Sequence, residues 1–214
     1  MMSTLLGCSS ELYFIDPQDI ISLEDASAKF LTNTKDEVAI LIQQGAPDCL
    51  IKGRKTLTQA INNQTAYIPV RIYFKPTISG WNLPAIFIKP LRQKYKFTSS
   101  NNYHTSLTKL RELKIERGFR NADNAYKISK RWQISDEQRI SRYNQLIDSL
   151  KKGYDDKYPI DIMICRRLGI KDCVDDGHHR IGICAEYNID RIAVRFRAAG
   201  KLPHWIQKLL LRFF

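Results

Sequence analysis

The stretch Val174-Asp175-Asp176-Gly177-His178-His179-Arg180 carries the most information about the fold of this chain. An apolar run at 159–165 precedes it, a helix-like run at 178–188 follows, and an alternating apolar run at 191–196 comes next. A glycine at a strand-to-helix turn lets backbone approach a ligand, and the N–H groups that begin the helix favour an anion. Histidine and arginine there add donors and charge suited to phosphate. The stretch therefore predicts a strand, a turn and a helix that cradle phosphate.

A plainer interpretation of the same stretch stays open. Gly177 could serve only as a turn, with His178, His179 and Arg180 pairing with the neighbouring acids Asp175 and Asp176. Adjacent histidines cannot face the same way on a helix, so we expect one imidazole at most at the phosphate. Without a third histidine or cysteine at ligand spacing, the sequence predicts no metal site built from His or Cys.

The order of these segments resembles the ParB/sulfiredoxin fold. The likeness is carried by Asp176-Gly177-His178-His179-Arg180 between a strand and a helix, followed by a short loop and the strand at 192–196, and it covers about residues 126–200. That superfamily includes partition-protein N-terminal domains, sulfiredoxins and free-serine kinases. The resemblance implies an α/β fold with a mixed small sheet and helices. His178 stands where sulfiredoxins carry their catalytic cysteine, which argues against sulfiredoxin activity.

The resemblance also implies a function. It implies binding of a nucleotide (ATP, ADP or CTP) with Mg²⁺, and a phosphotransferase or nucleotide-hydrolysing activity. The phosphates would lie on Gly177, His178, His179 and Arg180, and Asp176 would join the two histidines in catalysis. The kinase branch uses an upstream Glu as base, for which Asp136 and Glu137 are the nearest candidates in this chain. A Mg²⁺ ion, which prefers oxygen ligands, would be held by Asp175 and Asp176.

Charge suggests two alternative functions. The net charge is +12, and residues 89–131 hold twelve Lys or Arg against three acids. Such a field attracts nucleic acid or an anionic membrane surface, and it can also be a solvated basic face. The expected polyanion-binding residues are Lys94, Lys96, Arg111, Lys114 and Arg117. Five cysteines without a paired spacing, and no apolar run of membrane-spanning length, predict a cytoplasmic protein, at most peripheral at the inner face of the membrane.

A weak internal repeat bears on domain organisation. Sliding the chain by 124 positions matches 38–42 to 162–166, Gly53 to Gly177, and Arg71 to Arg195, with eight identities over about 38 residues. Either the first half is a degenerate copy of the second, or two unrelated strand–turn–helix–strand units share common residue types. The organisation we expect is an N-terminal α/β lobe at 1–88, a basic and largely helical connector at 89–125, a ParB-like domain at 126–200 and an amphipathic tail at 201–214.

Four helices are predicted outside the motif, over 23–31, 55–62, 105–117 and 141–152. Ser22 as a cap, with Glu24 and Asp25 in the first turn, predicts a helix over 23–31. Leu107, Leu110 and Leu113 recur at helical spacing and predict a helix over 105–117.

Overall fold

The structure is a computed structural model that describes residues 7–26, 38–74, 96–113, 115, 136–164 and 171–199. The strands are β1 Gly7–Cys8, β2 Tyr13–Ile15, β3 Glu24–Asp25, β4 Val38–Gln43, β5 Ala46–Lys52, β6 Ile68–Phe74, β7 Lys96–Thr98, β8 Tyr103–Ser106, β9 Ile160–Met163, β10 Cys173–Asp176 and β11 Arg191–Ala199. The helices are α1 Gln18–Ile21, α2 Arg54–Asn62, α3 Leu107–Glu112, α4 Asp136–Lys151 and α5 His178–Glu186.

All of these strands belong to one mixed sheet. Their order is β10-β9-β11-β8-β2-β6-β4-β5-β3, with β1 beside β6 and β7 beside β11. Ile20, Leu57, Leu107, Leu150 and Ile181, one from each helix, join the same buried cluster as alternate strand residues. The helices therefore lie on one face of the sheet, which we name the inner face; the opposite face is the outer face. The expected α/β class is confirmed at this level.

The two strand–turn–helix–strand segments have the same backbone arrangement. β4 pairs in parallel with β6 and antiparallel with β5, and β9 pairs in the same way with β11 and β10. The cross-strand neighbours are Ala39–Lys52, Ile40–Leu50 and Leu41–Cys49 in the first segment, and Asp161–Asp176, Ile162–Val174 and Met163–Cys173 in the second. Both ladders shift register just before the glycine turn, between Leu50 and Lys52 in β5 and between Val174 and Asp176 in β10. The sequence repeat corresponds to a repeat of structure.

The gapless alignment is nevertheless wrong by two residues in the first strand. Val38 lies opposite Val70, and Ile160, not Ile162, lies opposite the equivalent Val194. The connection from β9 to β10 is therefore two residues longer than the one from β4 to β5. Two isoleucine-rich strands match well in either register, which is why the sequence did not reveal the insertion.

The repeat extends further towards the N-terminus, at a spacing of 90 positions. Ser9 N–H donates to the Ile72 carbonyl over 2.7 Å, and Ser99 N–H donates to the Phe196 carbonyl over 2.7 Å. In return the N–H groups of Ile72 and Phe196 each donate to the matching serine Oγ over 3.2 Å. We name residues 7–74 the first unit and residues 96–199 the second unit.

This extension differs from the expected basic connector at 89–125. Within that range β7 and β8 both pair with β11, so residues 96–106 are part of the sheet. The helix expected over 105–117 begins at Leu107, because Ser106 caps it by accepting the Lys109 N–H over 3.2 Å. Thr105 belongs to β8.

The two units hold each other through reciprocal aspartates. Asp172 of the second unit accepts the Tyr13 hydroxyl over 2.8 Å and the Ser10 N–H over 3.0 Å. Asp48 of the first unit accepts the Tyr103 hydroxyl over 2.7 Å and the Ser100 N–H over 3.1 Å. The two aspartates are 124 positions apart, so they are equivalent residues of the two units. We name each aspartate, together with the tyrosine hydroxyl and the N–H group that it accepts, a latch.

The helix predicted over 23–31 is wrong where the structure describes it. Glu24–Asp25 form β3 and pair in parallel with β5. The short helix α1 lies earlier, at 18–21, and Ser22 ends it instead of beginning one.

The C-terminal tail at 201–214 lies outside the described residues. Among the helices that the structure describes, none is both long and apolar enough to cross a bilayer.

Candidate functional site

The turn between β10 and α5 is shaped by a close backbone contact. Gly177 has φ +95°, and a Cβ placed there would lie 2.9 Å from Cγ1 and 3.2 Å from Cα of Ile160. Only glycine accepts both this left-handed conformation and this approach. α5 consequently begins directly over β9.

The same contact exists in the first unit. Gly53 has φ +96°, and a Cβ there would lie 2.8 Å from Cα of Val38. The first unit has no histidine at this turn, which reads Lys52-Gly53-Arg54-Lys55. The glycine is therefore explained by packing against β4 or β9, and by itself it is not a mark of phosphate binding.

Arg180 ties the start of α5 to the loop before β9. Its Nη1 donates to the carbonyls of Tyr158 and Pro159, the latter over 2.9 Å, and its Nη2 donates to Asp176 over 3.1 Å. The Arg180 side chain is 15% exposed, whereas that of Asp176 is 67% exposed. Arg180 thus positions the turn, in addition to the phosphate role that remains a prediction.

Asp175 and Asp176, predicted to share a magnesium ion, point to opposite faces of the sheet. Asp176 contacts Arg180 on the inner face, while Asp175 accepts Lys96 over 2.6 Å and Arg197 over 2.7 Å on the outer face. Consecutive strand residues alternate in this way. A joint site for Mg²⁺ on these two carboxylates does not fit this geometry.

Asp175 is held as an anion. Burial alone would raise its pKa, but hydrogen bonds and charge from Lys96 and Arg197 lower the pKa below the ordinary aspartate value. A carboxylate with a lowered pKa that is already bound to two cations is a poor proton acceptor, so Asp175 is unsuited to act as a general base.

The two predicted histidines begin α5 and are half-buried. The ring of His179 meets the ring of Tyr143 on α4 edge to face, with centroids 6.4 Å apart. At the other end of the same pair of helices, Lys151 lies 4.5 Å from the ring centroid of Tyr187. Tyr143 and Lys151 are eight residues apart along α4, and their partners His179 and Tyr187 are eight residues apart along α5. Because the two contacts follow the same order along both helices, α4 and α5 run parallel.

This direction decides where Glu137 lies. Glu137 is six residues before Tyr143, which at 1.5 Å per residue is roughly 9 Å along α4, while Gly177 is only two residues before His179. The first turn of α4 therefore extends roughly 6 Å beyond the start of α5. Glu137 is exposed there. For Asp136, the structure gives the helical backbone only.

The predicted polyanion-binding residues are only partly described. Lys96 is bound to Asp175, and Arg111 is exposed on α3. Lys94, Lys114 and Arg117 lie outside the described residues.

Sequence reasoning missed a histidine held between two carboxylates. His104 Nδ1 lies 3.1 Å from Asp19 on α1, and Nε2 lies 2.8 Å from Asp156 in the loop before β9. The hydrogen bond with Asp19, the larger effect, and the one with Asp156 raise the pKa of His104, although burial opposes them. The partners are 85 and 52 residues away, so no local pattern could have found them.

Sequence reasoning also missed a network of charges on the outer face of the second unit. Asp161, 2% exposed, accepts the Arg195 Nε over 2.9 Å and also pairs with Arg197. Arg197 in turn reaches Asp175, which joins Lys96. The alternation of Arg195 and Arg197 with apolar residues in β11 was the one available signal.

Among the residues that the structure describes, no group of three or more His, Cys, Asp or Glu side chains is arranged to hold a metal ion.

Comparison with models of known families, with characterised proteins and with solved structures found no match to this chain. The fold and the site define a mixed α/β protein that is built from two units with the same backbone arrangement. The second unit differs from the first in its polar residues.

Proposed function

We propose that this protein binds a nucleotide through its phosphates at the start of α5 in the second unit, and transfers or hydrolyses the terminal phosphoryl group. The observation that carries the proposal is the parallel course of α4 and α5, which brings the exposed Glu137 beyond the helix start that holds His178 and His179. The exposed Glu137, one of the two imidazoles and the N-terminal end of α5, which favours an anion, then lie at the same end of this pair of helices.

The roles follow from chemistry. The first N–H groups of α5 and one imidazole donate to phosphate oxygens, while Arg180 keeps the turn in place through its carbonyl contacts. Glu137 takes the proton from an attacking hydroxyl group or water molecule. As the oxygen of that nucleophile bonds to the terminal phosphorus, the bond from the phosphorus to the leaving phosphate oxygen breaks. Mg²⁺ would accompany the nucleotide, and Asp176, whose side chain is 67% exposed beside the turn, would hold it.

The superfamily and the cellular location of the protein are part of the same proposal. We infer that residues 126–200 are related to the ParB/sulfiredoxin superfamily and that the protein acts in the cytoplasm. The support is the strand, glycine turn, helix and strand in β10, α5 and β11.

The experiment is a thermal-unfolding screen with ATP, ADP and CTP, with and without Mg²⁺. Ligand at a hundredfold excess over Kd raises the free energy of unfolding by about 2.7 kcal/mol. We expect His178→Ala combined with His179→Ala to lose that gain and Lys55→Ala, at the place equivalent to His179 in the first unit, to keep it. Glu137→Gln should bind nucleotide but release no phosphate.

Two outcomes contradict the proposal. One is the absence of any nucleotide-dependent shift in the wild-type protein. The other is an equal shift in the double histidine variant. DNA binding that falls steeply with salt and needs no nucleotide would favour the nucleic-acid alternative. Flotation with anionic vesicles, lost on truncation after Gly200, would favour the membrane alternative.

A further inference from the structure

The outer face of the sheet has opposite chemistry in the two units. In the first unit it carries a buried apolar cluster, composed of Cys8, Ala39, Leu41, Ile51 and Tyr73. The equivalent positions in the second unit, by the register of the strands, are Thr98, Asp161, Met163, Asp175 and Arg197. Three apolar side chains of one unit are thus replaced by charged ones in the other.

The charged positions form one connected network. Arg195 Nε donates to Asp161 over 2.9 Å, Arg197 binds both Asp161 and Asp175, and Lys96 reaches Asp175 over 2.6 Å. We name these five residues the outer-face network. It lies across β7, β9, β10 and β11 and not on the helices.

The fold does not need these charges. The first unit has the same ladder and the same turn with Ala39, Ile51 and Tyr73 at three of the positions, so apolar packing suits this sheet. A buried ion pair is often no more stabilising than apolar residues of similar volume, because both charges lose their hydration. Asp161 is 2% exposed and carries that cost.

The network has an excess of positive charge and remains open to solvent at its ends. Three cations face two carboxylates, and among the residues that the structure describes the buried Nε of Arg197 has no hydrogen-bond partner. The side chains of Lys96 and Arg195 are 31% and 33% exposed. An entering anion would therefore meet two accessible cations, Lys96 and Arg195.

We propose that the outer-face network is a binding site for a phosphate group, separate from the site at α5. Two guanidinium groups and an ammonium group recognise the phosphate oxygens, and Asp161 and Asp175 hold the arginines in position when the site is empty. The α5 site is on the inner face, so the two sites do not share residues and this proposal does not rest on the proposed function.

The test replaces the network by the residues of the first unit. The variant Asp161→Ala, Asp175→Ile, Arg197→Tyr carries the side chains of positions 39, 51 and 73. Inorganic phosphate is titrated calorimetrically into the full chain at low ionic strength, with chemical unfolding measured in parallel. We expect the triple variant to be as stable as wild type. With Arg195→Gln added, which removes an exposed cation that the triple variant keeps, it should lose one phosphate site.

A matched pair of single variants keeps the test decisive if the triple variant does not fold. Arg195→Gln should weaken phosphate binding at least tenfold, and Arg71→Gln, the equivalent change in the first unit, should leave it unchanged. Adenosine monophosphate and acetate as further probes distinguish a phosphoester and a carboxylate from free phosphate.

The outcomes separate the two proposals. Phosphate binding that is unchanged in the triple variant with Arg195→Gln added, or equally weakened by Arg195→Gln and Arg71→Gln, overturns the outer-face site. Loss of nucleotide binding in the double histidine variant, with this phosphate site intact, concerns the α5 site only. A folded triple variant that is much less stable than wild type would show that the network serves the fold, and would also overturn the proposal.

Discussion

The first and second units have the same frame and different surfaces. Gly53 and Gly177 have φ values of +96° and +95°, and α2 and α5 end alike, with Gln64 and Asn188 both at positive φ. The outer face is apolar around Ala39 and charged around Asp161. The comparison shows which residues the backbone requires in both units and which are free to diverge.

The contact between the units diverges in the same way. Asp19 on α1 binds His104, and at the equivalent place Lys109 on α3 lies 5.7 Å from the ring centroid of Phe14. One contact between the units is an ion pair and the other is a cation–π contact. The shared backbone arrangement thus allows different chemistry wherever side chains make the contact.

The largest expected effect concerns the reciprocal latches. Asp48→Ala or Asp172→Ala removes an acceptor from a buried tyrosine hydroxyl and from backbone N–H groups, and should lower the free energy of unfolding by about 3 kcal/mol. Since the latches are equivalent, the two losses should agree closely in urea unfolding. Gln43→Ala, near the same hairpin but outside the latch, is the control. A loss in one variant alone would break the symmetry that we describe.

A smaller effect is expected at the two turns. Gly53→Ala and Gly177→Ala combine a left-handed φ with a contact under 3 Å, and each should cost about 2 kcal/mol of unfolding free energy. Gly45→Ala has φ +73° with nothing within 4 Å, so it should cost about 1 kcal/mol and isolate the conformational part. Equal losses of unfolding free energy at all three positions would show that the close contact with β4 and β9 adds nothing to the cost of these substitutions.

The smallest effect is expected at His104 and depends on pH. Its pKa is raised in the folded state, so the stabilisation is complete below the unfolded value of about 6.5 and is lost as pH rises through the folded pKa. The change should be about 1 kcal/mol, typical of a partly exposed ion pair.

The measurement is Tm between pH 5.5 and 8.5 for wild type and for His104→Phe, which introduces the residue of the first unit at this place. The difference between the two curves isolates His104 from the other histidines. Parallel curves would show that the contacts with Asp19 and Asp156 add no pH-dependent stability.

Much of each unit followed from local patterns. The alternating apolar run at 191–196 identified β11, and the helix-like runs after Gly53 and Gly177 identified α2 and α5. The repeat was visible from Gly53 and Gly177 onward. The earlier half of the second unit was missed, because α4 and its flanking residues change the spacing from 124 to 90 positions and no gapless comparison can follow such a change.

The candidate site was predictable only in part. The β10–α5 turn was predicted from local order and is present in the structure. The roles of His178, His179 and Glu137 remain predictions. That the side chains of Asp175 and Asp176 lie on opposite faces of the sheet followed only from the position of β10 in the structure. The reciprocal latches join residues 55 and 159 positions apart, so they arise only when both units are folded.

The sequence by itself determined the glycine turn, the helix α5 after it and the strand β11, because hydrophobic period and glycine act over a few residues. Only the tertiary structure decided the partners of the charged side chains: Arg180 with carbonyls, Asp175 with Lys96, and His104 with two acids. The physical reason is that a charge pairs with whatever the folded sheet brings within a few ångströms, and that neighbour is distant in sequence.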